Sequence, residues 1–133
     1  VTLDTSALVA VLFSEPGYLD LLDRMLEADA VRIGAPTLVE ASLVFEGRRG
    51  RQTGRRIDDP VAELIKELGV TVVPFGEAEW RGAADAFSRF GRGRHKASLN
   101  FGDCLAYATA AVAGDTLLFV GDDFRRTDIR SAT

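Results

Sequence analysis

The sequence has one cysteine, one histidine and no apolar stretch near the ~20 residues that a membrane-crossing helix needs. The lone Cys104 excludes an internal disulfide, which suits a reducing compartment. It lies in an alanine-rich segment with no base placed to activate it, so it reads as a small buried residue and not as a nucleophile. His95 stands between Arg94 and Lys96, and two cationic neighbours make it a poor metal ligand. Internal repeats, linkers and low-complexity tracts are also missing. No basic leader precedes the first apolar run, so a cytoplasmic location is the expectation.

What is present fits one domain spanning residues 1–133, large enough for a single substantial core. The net charge of −4 argues against a generic polyanion binder, but the cations are segregated. Arg48, Arg49, Arg51, Arg55 and Arg56 crowd residues 48–56, and Arg89, Arg92, Arg94 and Lys96 crowd residues 89–96. Such segments can steer a polyanion despite an acidic total. Solvated surface loops are the plainer alternative.

Short apolar runs alternate with helical patterns. Val1–Leu3 reads as a buried strand, with Asp4 at its end and Thr5 and Ser6 as candidate helix caps ahead of Ala7–Phe13. A helix with Tyr18, Leu21, Leu22, Met25 and Leu26 on one face follows, then a strand over 31–35. Pro36 opens a helix running from Thr37 to about Gly47, on which Glu40 is a lone acid among apolar neighbours. Asp58-Asp59-Pro60 starts the next helix, and Val61, Leu64, Ile65 and Leu68 give its face. Strand 70–74 comes next, followed by an amphipathic helix with Trp80, Ala83, Ala84 and Phe87 on one side. A basic loop over 91–100 leads to a helix over 101–113 with Asp103 near its start. Strand 116–120 ends in Gly121-Asp122-Asp123-Phe124, and the tail from Arg125 is polar.

Continuous apolar strands between helices predict an α/β fold with a mostly parallel sheet of four to five strands, flanked by helices on both faces. In such sheets, sites form at the carboxyl ends of strands. Asp4, Glu40, Asp103 and Asp122 all fall where right-handed crossovers can bring them to that edge. Singly, each has a structural explanation as a cap or turn residue. Together they repel: two unit charges ~5 Å apart at an effective dielectric near 20 oppose each other by roughly 3 kcal/mol. Protonation or a divalent cation has to relieve that. An all-oxygen set favours Mg²⁺ or Mn²⁺ over Zn²⁺.

The strings Asp4-Thr5-Ser6-Ala7-Leu8, Pro36-Thr37-Leu38-Val39-Glu40-Ala41, Leu99-Asn100-Phe101-Gly102-Asp103-Cys104 and Leu117-Leu118-Phe119-Val120-Gly121-Asp122-Asp123-Phe124, in this order, resemble the PIN-domain ribonucleases. Within them the chain is similar to the VapC toxins of bacterial toxin–antitoxin modules. The run Gly91-Arg92-Gly93-Arg94-His95-Lys96 and the string Phe124-Arg125-Arg126-Thr127-Asp128-Ile129 extend the likeness. The resemblance implies a Mg²⁺-dependent endoribonuclease that forms a homodimer and is inhibited by a small VapB-type antitoxin. By the family pattern Asp4 and Asp103 are the principal metal ligands, and Glu40 and an acid after the fourth strand complete the site. Asp122 is the expected fourth acid, although a shift of one residue substitutes Asp123. Thr5 or Ser6 is expected to hold a carboxylate in place. Arg92, Arg94, His95, Lys96, Arg48 and Arg49 are expected to face RNA.

Two other α/β classes fit poorly. A receiver-like signalling domain needs an acidic pair after the first strand and a lysine after the last, and this chain has a lone Asp4 and no lysine after Val120. A haloacid-dehalogenase-type phosphatase needs Asp-x-Asp, where Ser6 stands here. The remaining alternative is a catalytically silent PIN-like binding module.

Overall fold

The computed structural model describes residues 1–50 and 59–132. Its centre is a four-stranded, wholly parallel sheet built from β1 (Thr2–Leu3), β2 (Arg32–Gly34), β3 (Thr71–Val73) and β4 (Leu117–Leu118), in the order β3-β2-β1-β4. The strands are shorter than the apolar runs that announce them. Thr2 pairs with Arg32 on one side and Leu117 on the other, and Leu3 pairs with Ile33 and Leu118.

Neighbouring residues of a strand face opposite sides of a sheet, and the core divides accordingly. Leu3, Ile33 and Leu118 join Leu8, Val9, Leu21, Met25 and Phe45 on one face. Leu117 joins Phe90, Leu99, Tyr107, Phe119 and Phe124 on the other. The first face is covered by α1 (Thr5–Leu12), α2 (Tyr18–Glu27) and α4 (Pro60–Glu67), the second by α5 (Glu77–Phe90) and α6 (Phe101–Ala113). The remaining helix, α3 (Ala35–Arg49), contacts both α1 and α6. It begins earlier than the proline suggests, because Pro36 needs no donor in the first turn and fits inside the helix start. Of the arginine segment, residues 51–56 lie outside the described residues, while Arg48 and Arg49 form the last turn of α3.

The face of α5 bearing Trp80, Ala83, Ala84 and Phe87 is not core. Trp80 is 57% exposed, and these residues line a groove of about 840 Å³ together with Val39, Leu43 and Phe101. The buried residues of α5 are Ala86 and Phe90. The tail is less polar in its setting than in its sequence. Phe124 packs on Phe119 with ring centroids 5.0 Å apart, and Ser131 bridges to Leu117.

Candidate active site

The chain steps from β1 outward to β2 and β3, then returns to place β4 on the other side of β1. This reversal makes the carboxyl ends of β1 and β4 the switch point at which open parallel sheets bind ligands. Asp4 stands there, directly after β1. It is the N-cap of α1, and the candidate caps Thr5 and Ser6 lie inside the first turn. Asp4 Oδ2 accepts the Ser6 amide at 2.9 Å and the Ser6 hydroxyl at 2.5 Å. Ser6 is therefore the residue that holds a carboxylate, whereas the Thr5 hydroxyl turns to the Thr37 carbonyl at 3.4 Å. Asp4 is only 5% exposed. Burial raises its pKa, the Ser6 hydrogen bonds oppose the rise, and the charge of Glu40 adds to it.

Asp103 occupies the third position of α6 in a reciprocal cap. Its Oδ2 accepts the Asn100 amide at 2.9 Å, and Asn100 Oδ1 accepts the Asp103 amide at 2.9 Å. Burial pushes its pKa up to about 6, with further lift from the charges of Asp4, Asp123 and Glu40 and an opposing pull from the Asn100 amide. Four acids from four elements thus share one field. Glu40 arrives on α3, the helix that follows β2, and its carboxylate lies against Gly102 in the first turn of α6.

Of the two acids after β4, Asp123 is the one whose charge reaches Asp103. The Asp122 side chain is 83% exposed and pairs with Arg125 Nε at 3.2 Å. A 3-10 turn over Asp123–Arg126 buries Phe124 against Phe119 and leaves both acids exposed. Among the described residues no three acids are drawn tightly enough to enclose a cation by themselves. The donor set nonetheless fits a hard ion. Mg²⁺ is commonly held by one or two carboxylates and completes its octahedron with water and substrate oxygens. Cys104 is buried beside the site, and burial together with the Asp103 charge pushes its thiol up to about 11, so it is inert at neutral pH.

The basic loop keeps its cations outside. Arg92, Arg94, His95 and Lys96 are exposed, and the loop is pinned by a bridge between Gly91 and Leu99. The Arg94 guanidinium lies over the Phe87 ring at 5.5 Å. His95 Nδ1 accepts the Ala97 amide at 3.0 Å and the ring sits edge-on to Phe90, which leaves Nε2 as the outward nitrogen. Arg48 and Arg49 are differently placed. Arg48 pairs with Glu15 and lies over Phe13, and Arg49 lies over Phe45. They stand two turns, roughly 12 Å, beyond Glu40 on α3.

A second polar cluster had no clear announcement in the sequence. The Asp128 carboxylate accepts the Tyr107 hydroxyl at 2.5 Å and Arg89 Nη2 at 2.5 Å, and Arg126 Nη1 donates to the Lys96 carbonyl at 3.1 Å. These contacts fasten the segment carrying Asp123 to α5, α6 and the basic loop.

The PIN domain family matches residues 1–130. Ribonuclease VapC of Mycolicibacterium smegmatis is 39% identical over 130 residues, 97% of each chain. Ribonuclease VapC30 of Mycobacterium tuberculosis is 38% identical over 97% of this chain and 95% of its own, and Ribonuclease VapC42 of the same species is 38% identical over 97% and 96%. Whole-length similarity of this order places the chain in the PIN domain family, among the VapC ribonucleases.

Proposed function

We propose that this chain is a Mg²⁺-dependent endoribonuclease, the toxin of a VapBC-type module, with Mn²⁺ able to substitute. The observation that carries this reading is the gathering of Asp4, Glu40, Asp103 and Asp123 at the carboxyl ends of β1 and β4, where burial first and the neighbouring charges second raise Asp103 to about 6. Asp4 and Asp103 are the residues to hold the ion, and Ser6 and the Asn100 amide fix their orientation. Bound there, the ion supplies activation of water and an offset for the charge that develops on the phosphodiester. Glu40 and Asp123, at the border of the same field, take up the proton that the attacking water gives away. Arg92, Arg94 and Lys96 bind the RNA backbone beside the site, and His95 offers Nε2 to it.

Two protein partners follow from the same reading. A VapB-type antitoxin inhibits by setting an Arg or Lys against the acids. The apolar groove between α3 and α5, with Phe101 79% exposed, provides surface for a second copy of the chain.

The test is cleavage of total cellular RNA by the purified chain with Mg²⁺, with Mn²⁺ and with EDTA, beside the Asp103→Asn variant. Discrete fragments that need the metal and vanish in the variant are expected. Identical RNA patterns in every lane would replace the enzyme with a silent binding module.

A further inference from the structure

The geometry points to Gly102 as a positioning residue that acts through Glu40: its missing side chain is the seat of the Glu40 carboxylate. The inference rests on the nuclease reading above and goes beyond the acids themselves. Gly102 is buried in the first turn of α6, immediately before Asp103. A Cβ built there would overlap Oε2 of Glu40 and approach its Cδ at 2.8 Å and Oε1 at 3.0 Å. The carboxylate, at the far end of a flexible side chain, would have to leave this place. Nothing in the backbone demands glycine at this place. Gly102 lies inside a regular helix and is not among the positive-φ residues, and alanine is the better helix former. The close approach is what requires it.

A second glycine supports this close seating. A Cβ at Gly34, the last residue of β2, would stand 2.6 Å from the Thr109 hydroxyl. Thr109 lies seven residues after Gly102, two turns along the same side of α6. Gly34 and Glu40 lie on the continuous β2–α3 segment. The two glycine gaps therefore fix one contact, with Gly34 setting how near α6 comes to the sheet and Gly102 setting where the Glu40 carboxylate comes to rest. Because Asp103 follows Gly102 directly, this seat fixes the placement of Glu40 relative to a metal-holding acid.

Gly102→Ala tests the assignment, on the wild-type and the Glu40→Ala backgrounds and paired with Glu40→Asp. In the wild-type background kcat should fall about 100-fold, the loss expected for a misplaced catalytic group, with KM little changed. Mn²⁺ affinity, read by the loss of the free-ion paramagnetic resonance signal, should weaken about tenfold. On the Glu40→Ala background the same change should add nothing to either loss. Glu40→Asp draws the carboxylate back by one methylene and should recover part of the Mn²⁺ affinity of Gly102→Ala. Wild-type kcat and Mn²⁺ affinity in Gly102→Ala would overturn the inference. So would losses of equal size with and without Glu40, or a drop in melting temperature that accounts for them. If the wild-type chain cuts no RNA, the nuclease reading fails and the Mn²⁺ titrations alone decide the role of Gly102.

Discussion

The Ser6 hydroxyl ties Asp4 to the end of β4. It donates to Asp4 Oδ2 at 2.5 Å and accepts the Val120 amide at 2.9 Å. One small side chain thus fixes the acid of the first strand against the strand that leads to Asp123. Ser6→Ala removes a hydrogen bond that holds the Asp4 pKa down while leaving burial and Glu40 to raise it. The variant should lose about 1–2 kcal/mol of stability, and the acid limb of its pH–rate profile should move to higher pH. An unshifted acid limb would show that the Ser6 hydroxyl only ties α1 to the end of β4.

The metal-free chain should be less stable at neutral pH than in mild acid. Asp103 is raised to about 6 in the folded chain from an ordinary 3.8, so the folded state binds more protons across that interval. The associated stability is complete below about 4 and is lost as pH rises through 6. Two units correspond to about 3 kcal/mol, and partial exposure screens this to about 1–2 kcal/mol, a few degrees of melting temperature. Asp4 moves in the same direction. Asp128 moves in the opposite one, held low by the Tyr107 hydroxyl and Arg89, so its contribution is lost as pH falls below the ordinary carboxylate range. Melting curves from pH 4 to 8 should peak on the acid side of neutrality. At pH 7.5, millimolar Mg²⁺ should raise the melting temperature and EDTA should reverse the rise. A flat profile with no response to Mg²⁺ would refute the shared field.

Asp122 and Asp123 should separate cleanly. Asp123→Asn should reduce cleavage by about tenfold or more, because its charge reaches Asp103. Asp122→Asn loses only an exposed pair with Arg125 and should stay within about twofold of wild type. The reverse order would restore Asp122 as the fourth acid.

Much of this site was legible in the sequence, for a physical reason. Asp4 and Asp103 stand at helix starts, which patterning marks well, and Glu40 stands out as a lone acid among apolar neighbours in the second turn of α3. The choice between Asp122 and Asp123 depends on the phase of a short 3-10 turn, which is set by where Phe124 finds its pocket on Phe119. No periodicity encodes that. That the face of α5 bearing Trp80 and Phe87 lines a groove was not legible for a related reason, since an apolar stripe does not tell whether it meets the core. Gly102 and Asp128 were in plain view within their strings. Their roles exist only through Glu40 and Tyr107, which lie far away along the chain.

RNA affinity should depend on the loop before α6. Replacing Arg92, Arg94 and Lys96 with alanine removes three exposed cations. The slope of log affinity against log salt should become shallower by about 2 for a single-stranded substrate, with kcat at saturation nearly kept. Equal slopes would assign the backbone contacts to another surface. Arg48→Ala should leave the slope nearly unchanged and lower stability slightly, because its guanidinium is engaged with Glu15 and Phe13.

The helix α6 bears on the chain's tolerance of change as well as on its chemistry. Its residues from Gly102 to Ala110 are buried apart from the half-buried Asp103, and Asn100, Gly102, Asp103, Tyr107 and Thr109 each answer to a different neighbour. Almost any accepted mutation there has to satisfy several neighbours at once. The exposed last turn of the same helix, Ala111–Ala113, carries fewer such demands, so one helix holds both the least and the most replaceable positions of this layer.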